Sequence, residues 1–255
     1  MMYQFLRELL SDKKGGSVFQ CFDITHFCYI LIVLFAIVLI VFYLRNKSEY
    51  TRQRAIAISI NFAFALYVLD FFLMPFAYGE IDVEKLPFHV CTAMCVMSFW
   101  SRHNKFLEKF KVQFALLGFI SNLVYLIYPA GVMWYQVHPL SYRVIQTLLF
   151  HGVMVIYGAL VLLYEDLRSN KQWLKNLLVI VLMTLWAIIG NLLYTGETYD
   201  FNWFFVRQDP FYMIPADIAP WIMPIINIAV FLLVEIVISV LCDCAKKAIA
   251  KRIVI

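Results

Sequence analysis

The sequence predicts an all-α polytopic membrane protein: a bundle of seven transmembrane helices, N-terminus outside and C-terminus cytoplasmic. Three observations predict it. Apolar residues make up 63% of the 255 residues and charged residues 15%, where a soluble domain runs nearer ~45–50% and ~25%. The apolar residues gather into seven runs of near-spanning length. Lys and Arg alternate between rich and poor connections. So much apolar surface does not fit inside one soluble core, so lipid must cover it.

The chain divides into an N-terminal segment, 1–20, and one transmembrane domain, 21–255. Residues 1–10 place Phe5, Leu6, Leu9 and Leu10 around Arg7 and Glu8, and Lys13-Lys14-Gly15-Gly16 then breaks the pattern. No apolar core with a small-residue cleavage site follows. The segment reads as an interfacial helix and a turn, with a frayed polar tail as the alternative, and not as a signal peptide.

The spans fall near 26–44, 55–76, 86–101, 112–128, 143–164, 173–194 and 219–241. The third is short. Pro87 suits the first turn of its helix, where a missing N–H costs nothing. With Arg102 closing it, the helix must start earlier, tilt or meet thinned lipid.

Orientation follows from the connections. Arg45, Lys47, Arg52 and Arg54 follow the first span. Arg102, Lys105, Lys109 and Lys111 follow the third, and Arg168, Lys171 and Lys175 the fifth. Lys246, Lys247, Lys251 and Arg252 end the chain. The intervening connections carry only Lys85, Arg143 and Arg207. Fifteen of the 21 basic residues thus fall inside; Arg7, Lys13 and Lys14 outside are the one contrary group. The net charge of +4 reflects topology rather than nucleic-acid binding. The expected location is a cell membrane, crossed several times.

Six cysteines make neither a disulfide framework nor a zinc pattern. Cys91 and Cys95 lie four apart on one side of the third span. Cys28 lies in the first span, with Cys21 just outside it. Cys242 and Cys244 lie beside basic residues, where S-acylation and inert thiols are competing readings.

Because successive spans run in opposite directions, sequence position converts to depth at ~1.5 Å per residue. His26, Asp70, His89, Cys91, Ser121, Asn122, Gln146, His151, Asn191 and Asn227 all fall in the outer half. The inner half offers little beyond Asn61, Thr184 and Glu235. A polar layer fed by all seven spans predicts an outward-facing polar cavity; hydrogen-bonded glue between helices is the alternative. Cys91 lies near a helix N-terminus, which favours thiolate, while apolar burial opposes it. His89 and Cys91 are two apart and point to different faces. A base for Cys91 must therefore come from another helix, and His151 matches it in depth. A small core residue is the competing reading of Cys91.

The segments Thr25-His26-Phe27, LPFHVC at 86–91, QTLLFHG at 146–152, GNLLY at 190–194 and APWIMPI at 219–225 carry a resemblance. The chain resembles the bacterial YwaF-like integral membrane proteins, which are similar to eukaryotic transmembrane protein 164. The resemblance implies a lipid-acyl enzyme that uses a membrane-embedded cysteine nucleophile. By position Cys91 would be that nucleophile and His151 its base. The androgen-induced membrane hydrolases are similar in using a nucleophile and a histidine within a helix bundle.

The function expected is a membrane-embedded acyltransferase or acyl hydrolase acting on phospholipid esters, with no cofactor or metal. His89 joins Cys91 and His151 as a catalytic candidate. Asn122, Gln146, Asn191 and Asp70 are candidates for substrate or oxyanion binding, with Asp70 also placed to orient a histidine. Two alternatives stand beside it. One is a zinc-dependent intramembrane hydrolase built on His26, His89, His151 and Asp70, although paired histidines at i, i+4 are absent. The other is a transporter or lipid-binding protein without chemistry. The 195–218 loop, with Asn202, Trp203, Phe204, Phe205, Arg207 and Tyr212, would cap the cavity or lie as an interfacial aromatic belt.

Overall fold

The computed structural model describes residues 4, 5, 10, 17–78, 83–133, 136–165, 172–194, 201–210 and 213–253. Most of the interfacial segment, together with Arg168, Lys171 and Tyr212, lies outside the described residues. Among the described residues there is no strand. The helices are α1 Ile24–Leu44, α2 Glu49–Tyr78, α3 Val90–Ser101, α4 Lys105–Glu108, α5 Lys111–Ile127, α6 Ala130–Met133, α7 Tyr142–Tyr164, α8 Gln172–Tyr194 and α9 Ala219–Ile253. Short 3₁₀ turns occupy Val83–Lys85 and Trp203–Phe205.

Among the described residues five helices are long and apolar enough to cross a membrane: α1, α2 as far as Pro75, α7, α8, and α9 as far as Cys244. Two shorter apolar helices, α3 and α5, have 12 and 17 residues. The third helix starts later than its apolar run. Its N-cap is His89, so Pro87 precedes the helix instead of opening it. The 3₁₀ turn and a Phe88 N–H donating to Leu86 O at 2.7 Å use the preceding residues in a tighter path.

The chain forms two compact units, Met1–Val83 with Ser121–Leu160 and Glu84–Ile120 with Val161–Ile255. In the first, α1 is apolar almost all round and buries only His26, Val33 and Leu44, as a lipid-covered helix does. Asp23 caps it: its Oδ1 accepts the His26 N–H at 2.7 Å and its Oδ2 the Gln20 N–H at 3.2 Å. At the other end Arg52 donates to Arg45 O at 2.6 Å and Leu44 O at 3.2 Å. A cation there also suits the negative end of the helix dipole. Gly152 lets α7 approach α1, since a Cβ on it would lie 2.6 Å from Val33 Cγ2.

In the second unit Leu116, Ile120 and Leu162 form a buried cluster against Phe231, Val234 and Ile238. Lys111 pairs with Glu165 at 2.6 Å, and Lys246 donates to the Glu165 carbonyl. Gln113 donates to Asn176 Oδ1 at 3.3 Å, and both are buried. Both are buried polar residues that the sequence-derived layers leave out. Gln113 and Asn176 follow Lys111 and Lys175 so closely that in the sequence they belong to the connections.

Candidate functional site

Each unit contributes a group of candidate residues. In the first, His151 on α7 is 8% exposed. Its Nδ1 lies 2.7 Å from Thr147 O, one turn earlier. A carbonyl only accepts, so Nδ1 carries the hydrogen and, in the neutral ring, Nε2 carries the lone pair. Tyr125 on α5 stacks on the imidazole at 3.9 Å with planes 12° apart, and Phe150 meets it edge-on. These contacts leave the ring one orientation. Asn122 is fully buried three residues before Tyr125, and so shares its helix face.

Asp70 on α2 is 3% exposed and accepts the Tyr142 hydroxyl at 2.7 Å. The contact that orients His151 through Nδ1 is the Thr147 carbonyl, and Asp70 holds the Tyr142 hydroxyl. Gln146 is 9% exposed. Its Oε1 accepts from Thr147 Oγ1 at 3.3 Å, and its Nε2 donates to no group among the described residues. Leu66, Leu69, Tyr142, Ile145, Gln146 and Leu149 line a groove between α2 and α7.

His26 has a different task. Its Nδ1 accepts the Phe22 N–H at 2.9 Å, and its Nε2–H donates to Leu126 O at 2.8 Å. Leu126 lies in the last turn of α5, where carbonyls lack an intrahelical donor. Both ring nitrogens of this fully buried histidine are thus spent on architecture. Cys21 makes a parallel contact from Sγ to Ile127 O at 3.7 Å.

In the second unit Cys91 sits in the first turn of α3, partly exposed, while Cys95 one turn later is buried. Of the two thiols, Cys91 is the accessible one. His89 makes no side-chain cap bond and meets Trp203 edge-on, ring centres 6.2 Å apart. Phe88 stacks between Trp186 and Trp203, 4.9 Å from each, and Trp203 stacks on Phe201 at 4.5 Å.

Asn191 holds this stack. Its Nδ2 donates to Ala187 O at 2.7 Å and Trp203 O at 3.1 Å, and its Oδ1 accepts the Trp203 N–H at 3.0 Å. Through these bonds Asn191 positions the 201–210 loop. Asn227 donates to Phe204 O at 2.6 Å and Phe205 O at 3.2 Å. These bonds hold two aromatic residues at φ of 56° and 50°, a conformation costly for side chains of this size. Trp203 and Phe204 are 1% and 4% exposed, so they pack inside the unit and are not an interfacial belt.

Residues 21–240 match the model of the TMEM164 family. The chain belongs to this family. No match arises with a curated protein or with a solved structure. The TMEM164 family match takes in every candidate from His26 to Asn227 and stops short of residues 1–20 and the basic tail.

Three residues of this TMEM164-family chain are missing from the sequence-derived candidates. Gly190 is one: a Cβ there would lie 2.4 Å from the Phe88 ring and 2.9 Å from Trp203. Its position beside Asn191, inside an apolar span, is the available signal. Phe88 and Trp186 are the others; nothing in their spacing announces the stack they form with Trp203. Among the described residues no group of three or more His, Cys, Asp or Glu side chains is arranged to hold a metal ion.

Proposed function

We propose that this membrane protein is an acyltransferase or acyl hydrolase acting on phospholipid esters, with Cys91 as nucleophile and His151 as its base. It would cross the membrane seven times, N-terminus outside, with α3 and α5 completing the five longer spans. The single observation that carries the reading is the state of His151. Its Nδ1–H is held by Thr147 O and its ring by Tyr125, so Nε2 is the basic nitrogen a general base requires. The partial exposure of Cys91 supports it as the thiol that meets substrate.

In this mechanism His151 Nε2 takes the Cys91 S–H proton and the thiolate attacks the ester carbonyl carbon. The carbonyl oxygen becomes an oxyanion and accepts a hydrogen bond from a side-chain amide, Gln146 or Asn122. Collapse breaks the ester C–O bond, and His151 returns the proton to the departing lysolipid oxygen. The thioester then passes its acyl group to a lysolipid hydroxyl or to water. That nucleophile gives its proton to His151, which restores the Cys91 thiol as the C–S bond breaks.

The test is turnover of a labelled phosphatidylcholine by purified full-length protein. Cys91→Ala should abolish it, and His151→Gln should reduce it ~10²–10⁴-fold. Full activity in a folded Cys91→Ala protein overturns the reading.

A further inference from the structure

We propose that the groove between α2 and α7 seats one acyl chain of a membrane phospholipid, with the ester carbonyl of that chain bound by Gln146 Nε2. This rests on the reading of phospholipid ester as the substrate class. The groove is open, with about 120 Å³ of space between its walls. Leu66, Leu69, Ile145 and Leu149 form its apolar wall, and Tyr142 and Gln146 are its polar residues. Leu69, Ile145 and Leu149 are each 41–49% exposed, so the wall faces outward along two membrane-length helices.

An apolar wall alone would not select a lipid. Hydrocarbon tails are as apolar as leucine, so a chain gains little by leaving its neighbours for the groove. Selection must come from the polar end. There the Tyr142 hydroxyl is committed to Asp70, and the Gln146 oxygen to Thr147. The donor left is Gln146 Nε2, on a side chain nine-tenths buried, without an acceptor among the described residues. An amide donor that opens onto an apolar, lipid-facing groove needs a partner. Gln146 lies four residues after Tyr142, ~6 Å along the helix, near the depth where glycerol ester carbonyls lie. Leu149 lies ~10 Å along, beneath the first carbons of a chain hanging from such a carbonyl. One donor at ester depth with an apolar channel below it matches one ester and its chain.

The experiment uses the full chain in phosphatidylcholine nanodiscs doped with a phosphatidylcholine bearing a photoreactive diazirine near the ester end of one chain. After irradiation, adducts are mapped by mass spectrometry. Leu66, Leu69, Ile145 and Leu149 should be labelled in preference to the exposed α1 residues Leu31, Phe35 and Leu39. Loss of one hydrogen bond in Gln146→Leu should reduce that preference about fivefold. Leu69→Trp, which fills the channel while leaving the amide, should abolish it. Equal labelling of α1 and the groove, indifference to both substitutions, or cross-linking of the groove to a second protein chain overturns the proposal. Cys91→Ala should label as wild type does, so lost turnover and lost labelling are separable failures.

Discussion

The indole Nε1–H of Trp186 donates to the carbonyl oxygen of Pro87 at 2.7 Å. This bond accounts for the brevity of α3. Twelve residues of helix rise only ~18 Å, against a hydrocarbon core of ~30 Å. The residues before it are not helical; if α3 spans as proposed, non-helical backbone at membrane depth needs partners for its polar groups. Trp186 satisfies one of them and stacks on Phe88 at the same time. Trp186→Phe keeps the ring but removes the donor. It should cost about 1–3 kcal/mol, read as a lowered unfolding temperature in detergent, while Trp186→Leu, which also loses the stack, should cost more.

Gly190→Ala places a methyl 2.4 Å from the Phe88 ring, which Trp186 and Trp203 enclose on both faces. Phe88 can yield only by shifting against the two indoles it stacks on. Overpacking of this kind costs about 1–3 kcal/mol. Thermal unfolding checks it, and an unfolding temperature equal to wild type would show that the stack is looser than described.

Asn191→Leu removes three hydrogen bonds to Ala187 and Trp203 and leaves the Trp203 N–H unmatched. Asn227→Leu releases the strained Phe204 and Phe205. Both variants should expose the 201–210 loop to limited proteolysis and speed its amide exchange. The loop fragment between α1 and α2, held by Arg52, should be unchanged.

His26 and His151 should respond oppositely. His26→Ala leaves the Leu126 carbonyl and the Phe22 N–H without partners and should destabilise by about 2–6 kcal/mol, one desolvation penalty for each group. His151→Gln should retain most of the stability and lose turnover. Parallel melting curves and lipid assays on the two variants separate an architectural histidine from a catalytic one.

The helical class and the positions of the apolar runs were legible because hydropathy at spanning length and the charge of the connections are local properties of the chain. The basic residues of the first connection double as helix caps, since Arg52 serves both purposes. The start of α3 was not legible. Pro87 fits a first turn as well as a preceding loop, and the choice is made by Trp186, 99 residues away. Depth arithmetic brought out Asp70, Gln146 and His151 but did not separate their tasks. Which partner takes which atom is set by tertiary contacts: Thr147 O for His151, Tyr142 for Asp70, the Trp203 backbone for Asn191. The buried Gln113–Asn176 pair stayed hidden for the related reason that a polar residue one turn from a lysine looks like part of the connection.

The most direct test of the Cys91–His151 mechanism is to trap its covalent intermediate. Purified protein is incubated with an acyl-labelled phosphatidylcholine, quenched in acid and mapped by mass spectrometry. The account predicts one acyl group on Cys91, removed by neutral hydroxylamine, absent from Cys91→Ala and strongly diminished in His151→Gln. Sustained lipid turnover by Cys91→Ala with no acyl adduct on the wild-type thiol would contradict it.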